Sequence, residues 1–476
     1  MCGFVSIISG SPVSAPLLLG LQAIQHRGQD AAGAGVLDNG RPHLVKRLGM
    51  VTALIEDGLD SISRGRVGVA HVRYPTTGAT ASREDAQPFL TRWPGMVLAH
   101  NGNVVNLNAL NESLREEGAH VLSQCDAESI LVVLTKELTR IRESRHTTED
   151  LIAAVRRTFE RVKGGYSVVA AMELDGRESL VAFRDPNGIR PGLYGRRDDG
   201  AWMVASESVA LDVTGFKKVD DLPPGGLLIF RQGEEPVRHI ITEAPVRHCI
   251  FERIYFARPD SEMEDGRINR SRWRMGRQLA AEWAARGLEA DVVMAVPDTS
   301  RPAAMAISDA LGIANREGFI KNRYSRRTFI MPNQEARKAA LRLKLNPIPE
   351  LFEGKRVLLV DDSIVRGNTM QRLIELVRSL GPKEVHIAIF SPPVTHPCFY
   401  GIDMPSHEEL IASRIDPDQL AEHLGADSLT YLSVAGLREV SGERICDACF
   451  TGEYIVPISD EDRDAINSAR RPNGSS

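Results

Sequence analysis

The sequence predicts two domains: an α+β half in which strands and helices alternate irregularly, then an α/β half built on a parallel sheet. Three observations lead there. A chain of 476 residues is longer than one hydrophobic core usually serves. In the first half, β-rich segments bounded by Gly, Pro or charged residues are mixed with amphipathic ones. In the second half, strand, helix and strand follow in regular order, the rhythm of parallel strands joined by crossover helices.

In the first half "VGVAHVRY", "GMVLAHNG", "YSVVAAMEL" and "ESLVAFRD" read as strands. The stretch "AESILVVLTKELTRIRES" places Ile130, Leu131, Leu134 and Leu138 at helical spacing. Polar "RQGEEPVRHIITEAPVRH" separates the halves and is assigned as a linker over 232–248, leaving domains at 2–231 and 249–455. Beyond it "DVVMAVPD" is a buried strand, "RPAAMAISDALG" a helix stopped by Gly, and "RVLLVDD" a second strand. "TMQRLIELVRSLG" is a helix ending at Gly381, and "EVHIAIFSPP" a third strand. The tail, 456–476, is polar, with disorder expected at its end.

Apolar content of 42% with 25% charged residues is ordinary globular composition. A net charge of -5 argues against nucleic acid as the partner, since nucleic-acid binders carry a basic surplus. No apolar run reaches the length of a membrane span, and "MCGFVSIISG" lacks the basic start of a secretory signal. A cytoplasmic protein with no membrane partner is expected. Its six cysteines then read as reactive or metal-ligating thiols rather than disulfides.

The densest chemistry lies in "VLLVDDSIVRGNT", 357–369. A strand delivers Asp361 and Asp362 to its carboxyl end, where ligands of such sheets bind. Ser363, Ile364, Val365, Arg366, Gly367, Asn368 and Thr369 form a loop and helix start whose backbone N–H groups favour a phosphate. Gly367 lets the backbone approach closely. Two carboxylates would repel a bare phosphate, but they suit a sugar phosphate, because sugar hydroxyls donate to acceptor-only carboxylates. A Mg²⁺ on the same sugar completes the charge balance. No GxxxxGK[ST] is present, so this is not a nucleotide P-loop.

Two groups of cysteines carry further chemistry. Once Met1 is removed, Cys2 owns an α-amine of ordinary pKa about 8, a built-in base for its thiol. Cys446 and Cys449 form a CxxC pair, with Cys249 and Cys398 distant in sequence. Four thiolates can hold zinc or an iron–sulfur cluster, and the ligand count does not choose between them.

"VLLVDDSIVRGNT" resembles the loop of type I phosphoribosyltransferases, which bind phosphoribosyl pyrophosphate (PRPP). "MCGFVSI", "IQHRGQD", "HVRYPTTG", "AQPF" and "AHNGNVVN", in that order, resemble the class II glutamine amidotransferase domain, an N-terminal-nucleophile (αββα) glutaminase fold. That resemblance implies Cys2 as nucleophile, Arg73 on the glutamine α-carboxylate, Asp126 on its α-ammonium, and Asn101 with Gly102 as the oxyanion hole. The two modules in this order resemble the glutamine phosphoribosylpyrophosphate amidotransferases over about residues 2–455. "FRDPNGIRP", "CIFERIYFARPDS", "IKNRYSRRTFIMPNQ" and "HPCFYGIDMPS" fall in the same family order.

The implied reaction passes ammonia from glutamine through a covered route to PRPP, displacing pyrophosphate to give 5-phosphoribosylamine, the first committed step of purine synthesis. Asp361 to Thr369 would bind PRPP, and Ser300, Asp361 and Asp362 would serve Mg²⁺. "YFARP", from Tyr255 to Pro259, resembles the segment near the ammonia passage, and the basic loop from about Arg326 to Leu345 would close over pyrophosphate. "HCIFE", "HPCFYG" and "CDACFTGEY" resemble the branch carrying a [4Fe–4S] cluster, here on Cys249, Cys398, Cys446 and Cys449. Cys125 is left as a core thiol. The family implies purine nucleotides as feedback inhibitors, with Lys321 among their contacts, and a homotetramer. Removal of Met1 alone is expected to mature Cys2. The chain departs from the common pattern at Asn368, where Thr is usual, at Ser325 and Arg326, where Val-Gly is common, and at Pro75, where Ser or Ala is usual. None of these deletes a chemical group the reaction needs. A regulator that merely senses PRPP would need neither Cys2 nor an oxyanion hole. A glutaminase coupled to sugar-phosphate isomerisation would lack the Asp361–Asp362 loop. An enzyme using only free ammonia is separated by comparing nitrogen donors.

Overall fold

The computed structural model describes residues 2–57, 59–74, 82–264, 266–322, 343 and 345–470. Two antiparallel sheets make the first domain. The seven-stranded one runs Lys217–Asp221, Leu193–Arg196, Trp202–Ala205, Gly3–Ile8, Val67–Arg73, Ala31–Asp38, Arg41–Leu48. The six-stranded one runs Val237–Ile240, Gly226–Phe230, Arg177–Arg184, Gly164–Leu174, Gly95–Val104, Phe89–Arg92.

Period-two alternation on these strands builds the layers. Phe4 and Ile8 point between the sheets, meeting Val97, Ala99, Val169 and Ala171 of the other sheet. Val5 and Ile7 point the opposite way, onto Leu17 and Leu21 of the Ser14–Ala23 helix. On the second sheet Met96 and Leu98 face outward and pack on Ile130 and Leu134 of the Asp126–Ile141 helix, and on Leu151 and Val155 of the Thr148–Arg161 helix. Helix, sheet, sheet, helix is the αββα order of an N-terminal-nucleophile fold.

The second domain carries a four-stranded, wholly parallel sheet: Val292–Ala295, Arg356–Asp361, Glu384–Ile389, Ser428–Tyr431. One face (Leu358, Val360, Ala388) packs on Leu279 and Ala304 of the helices Ile268–Ala284 and Arg301–Leu311. The other (Val357, Leu359, Ile387) packs on Leu373 and Leu420 of the helices Asn368–Arg378 and Pro417–Leu424. Burial on both faces is why these strands read as unbroken apolar runs.

Two boundaries differ from the sequence reading. Val237–Ile240, inside the expected linker, pairs with Gly226–Phe230 as an edge strand of the first domain. Its polar residues mark a half-solvated edge, which composition alone does not separate from a linker. In the expected tail, Val456 and Ile458 are buried in the second domain's core, and Asp460–Arg470 is helical. No helix of the described residues is long and apolar enough to cross a membrane.

Buried ion pairs tie the domains together. Arg27, wholly buried, sends Nη1 to Glu207 Oε1 at 2.5 Å and Nη2 to Glu252 Oε1 at 2.6 Å. Arg190 also pairs with Glu252, and Arg184 Nη2 lies 2.7 Å from Glu264 Oε1. Such pairs, once desolvated, fix geometry more than they add stability.

Candidate active site

Cys2 is buried just ahead of the Gly3–Ile8 strand. Its carbonyl oxygen accepts from Arg27 Nε at 3.0 Å, which seats the backbone, and its Sγ lies 3.8 Å from Tyr74 O. The pairing Gly3↔Val72 brings Arg73 beside it. Arg73 is buried, with Nη2 3.8 Å from Asp85 Oδ2 and Nη1 without a hydrogen-bond partner. Asn101, on the facing sheet, is wholly buried, and neither its Oδ1 nor its Nδ2 has a partner. An unpaired buried amide costs about 1–3 kcal/mol, so these groups mark a place where a ligand completes the bonding. A Cβ on Gly102 would stand 2.1 Å from Gly165 O, so only glycine fits there.

Asp126 opens the Asp126–Ile141 helix. Its Oδ2 accepts from Val104 N at 2.9 Å and lies 3.2 Å from His100 Nε2. Burial pushes its pKa upward, but the pull and hydrogen bond of His100, with backbone donors, outweigh that and hold it below the usual carboxylate range. An ionised carboxylate is what an α-ammonium requires. His100 is itself held by Gln87, whose Nε2 is 3.1 Å from Nδ1 and whose Oε1 accepts from His100 N at 2.7 Å. His100→Ala is therefore expected to raise the KM for glutamine about tenfold with a smaller change in kcat, measured by glutamate release.

Sequence reading missed the support shell of Arg27, Gln87 and His100. The last two stand inside quoted motifs, and Arg27 stands in "IQHRGQD", but spacing does not reveal who holds whom. Cys125 is half-buried at the core's edge rather than inside it, with Sγ 3.8 Å from Asp126 Oδ1. Burial and then the Asp126 charge push its thiol above the ordinary value. Pro75 falls outside the described residues.

In the second domain Arg356–Asp361 ends at the paired carboxylates. Asp361 Oδ1 accepts from Ser300 Oγ at 3.0 Å and from Asp362 N at 2.9 Å, and Asp362 Oδ1 accepts from Ser363 Oγ at 2.7 Å. Ile364 is buried in one apolar layer and Val365 packs on the other, so these two side chains anchor the loop. Arg366 Nε lies 3.1 Å from Glu409 Oε1. Gly367 has φ +79, the left-handed region that favours glycine, and a Cβ there would lie 2.6 Å from Ile411 Cδ1. Asn368 and Thr369 are exposed at the helix start.

Burial pushes Asp361 well up, with the Asp362 charge adding to it, and burial pushes Asp362 up to about 6. Two adjacent carboxylates, Asp362 buried and Asp361 half-buried, thus both carry raised pKa values. Lys321 Nζ pairs with Asp298 Oδ2 at 2.8 Å. Ser325, Arg326 and the closing loop up to residue 342 fall outside the described residues.

The four remaining cysteines converge from three parts of the chain. Cys249 and Cys446 are register partners in a short parallel ladder. Cys249, Cys398 and Cys449 share one buried apolar cluster, and Cys446 packs against it. Burial pushes Cys249 up to about 12 and raises Cys446 and Cys449 well above the ordinary thiol value. None is in a disulfide. Among the described residues, no three His, Cys, Asp or Glu side chains are already arranged around one point as metal ligands.

Residues 72–213 match a family described as a glutamine amidotransferase domain, and residues 272–393 one described as a phosphoribosyl transferase domain. The amidophosphoribosyltransferase of Pseudomonas aeruginosa is 42% identical over 470 residues, 96% of this chain and 93% of that protein. That of Methanothermobacter thermautotrophicus is 40% identical over 484 residues, 99% of this chain and 98% of that protein. Among solved structures, glutamine PRPP amidotransferase from B. subtilis, complexed with ADP and GMP, gives a TM-score of 0.86 at 37% identity, covering 97% of this chain and 98% of that one. A structure of the allosteric regulatory enzyme of purine biosynthesis gives 0.88 at 36% identity, covering 100% of both chains. With both domains in the same order and identity of this level along nearly its whole length, the chain belongs to the amidophosphoribosyltransferase family.

Proposed function

We propose that this member of the family hydrolyses glutamine at Cys2 and passes the ammonia internally to PRPP, giving 5-phosphoribosylamine, glutamate and diphosphate in the cytoplasm. One observation carries the reading: the chain that buries Cys2 one strand from Arg73, and leaves Arg73 Nη1 and the Asn101 amide on the facing sheet without partners, also ends a parallel strand with Asp361 and Asp362 ahead of a loop and helix start. Arg73 and Asp126 hold the α-groups of glutamine. The α-amine of Cys2 takes the thiol proton, sulfur bonds to the side-chain carbonyl carbon, and Asn101 and Gly102 hold the oxyanion. Collapse breaks the C–N bond, ammonia leaves with the proton, and water hydrolyses the thioester to glutamate and free thiol.

In the second domain the loop holds the 5-phosphate, and Asp361 and Asp362 accept from the ribose hydroxyls. Mg²⁺, which Asp361, Asp362 and Ser300 suit, supplies positive charge to the departing pyrophosphate when bound. Ammonia's lone pair forms the bond to the anomeric carbon as the bond to pyrophosphate oxygen breaks, and a proton is released. Pyrophosphate release that requires PRPP together with glutamine or ammonium tests the reading. No release with either donor sinks it.

The four thiols suit a [4Fe–4S] cluster: four soft donors, three of them buried and Cys446 half-buried, all free of disulfides. When bound it would clamp the His248–Cys249 and Ile445–Cys446 strands to the segment at Cys398. Cys446→Ser is expected to lose the iron and the visible absorbance of anaerobically purified protein, and to lower Tm by on the order of 5 °C. Stoichiometric zinc in the unsubstituted protein overturns this assignment. Purine nucleotides as feedback inhibitors, with Lys321 at their contact, and a homotetrameric assembly complete the proposal.

A further inference from the structure

The strand bearing Asn101 and Gly102 is gripped on one side by its own sheet, where Asn101 faces Ser167 and Gly102 faces Tyr166. Something else holds it from the second domain. Asn103 Nδ2 donates to Phe399 O at 2.9 Å, a bond between residues 296 apart in sequence. A Cβ placed on Gly401 would stand 2.9 Å from the carbonyl carbon of Gly102 and 3.0 Å from its oxygen, so the two glycine backbones touch with no side chain between them. Gly401 has φ +104, a conformation that side-chain-bearing residues rarely adopt. Next to it, a Cβ on Gly165 would lie 3.1 Å from Tyr400 Cβ, which extends the contact to the neighbouring strand.

The turn making these contacts is itself anchored. Tyr400 OH donates to Val456 O and accepts from Val456 N, both at 3.0 Å. Tyr400 N donates to Cys398 Sγ at 3.3 Å, joining the turn to the thiol quartet. On the far side Cys249 N donates to Ile189 O at 3.0 Å, and Val105 and Ile189 of the first domain share an apolar cluster with Cys249, Cys398 and Cys449. Oxyanion donors work by being fixed where charge develops, so a contact that sets their backbone sets the rate.

We propose that the Phe399–Gly401 turn of the second domain, bonded through Asn103, is the positioning element for the oxyanion hole of the first. Glutamine cleavage then depends on a part of the chain that neither touches glutamine nor takes part in PRPP chemistry. The inference rests on the glutaminase reading of Cys2.

The test uses full-length holoprotein carrying Asn103→Ala and, separately, Gly401→Ala. Glutamate release in the presence of PRPP is expected to lose roughly tenfold in kcat, short of the hundredfold or more that deleting an oxyanion donor costs. The KM for glutamine, the inhibition constant of glutamate and the ammonium-dependent rate stay unchanged, because ground-state binding and the second site are untouched. An unchanged kcat in both variants, or an equal loss with ammonium, overturns the proposal. If the unsubstituted enzyme fails to cleave glutamine, it is the reading of Cys2 that fails, and that arm shows it separately.

Discussion

Cys2→Ala is expected to abolish phosphoribosylamine synthesis from glutamine while synthesis from ammonium persists. Removing a covalent nucleophile whose partners act as a unit costs about 10⁴–10⁶ in rate, so glutamate release falls to background. The substitution leaves the surrounding structure in place. Arg27 Nε binds the Cys2 backbone carbonyl, which alanine retains, and the unpartnered groups of Arg73 and Asn101 belong to other strands. Ammonium-dependent turnover survives because Asp361, Asp362 and their loop stand on a separate sheet with its own apolar layers. Pyrophosphate release with each donor, measured above pH 8 where free ammonia is available, reads both arms. Equal loss in the two arms would show that Cys2 is structural.

Asp362→Asn is expected to lower both arms together. Turnover of PRPP with either donor falls roughly 10²–10³-fold, the scale of losing a charged group that stabilises the transition state. Ligand-free protein becomes more stable. The folded pKa of Asp362 is about 6 against an ordinary 3.8, so between those values the native state holds more protons than the unfolded one. Stability is therefore fully present below 3.8, falls as pH rises through about 6, and stays low at neutral pH. An amide carries no such cost, and the shift corresponds to about 3 kcal/mol at most. Thermal unfolding of both proteins at pH 5 and pH 7.5 checks this, with the gap wider at the higher pH. Because protons compete with Mg²⁺ and sugar for these carboxylates, the affinity of the unsubstituted enzyme for PRPP is expected to weaken as pH falls through about 6.

Legibility in the sequence followed the physics. The parallel strands were plain because burial on both faces leaves unbroken apolar runs, as at Val357 to Val360. Ser428–Tyr431 was missed: it is short and mixes Ser, Thr and Tyr with a single aliphatic residue, Leu429. The Val237–Ile240 edge looked like a linker for a similar reason. Candidate reactive residues were legible where a local string carries them, as around Asp361 and Cys2. Their supports were not, since His100 with Asp126, or Asn103 with Phe399, are pairings made only by the fold. The thiol quartet lay between: its four members were named from the resemblance to the cluster-bearing branch, and the parallel pairing of Cys249 with Cys446 is made only by the fold.

The ion pairs of Arg27 also bear on synthesis of the protein. Arg27 reaches Glu207, 180 residues onward, and Glu252, 225 residues onward, while its Nε holds the Cys2 carbonyl. A nascent polypeptide that has emerged only through its first domain leaves that guanidinium one carboxylate short. The seat of the nucleophile is complete only after residue 252 has left the ribosome, so a truncated product is poorly equipped to squander glutamine.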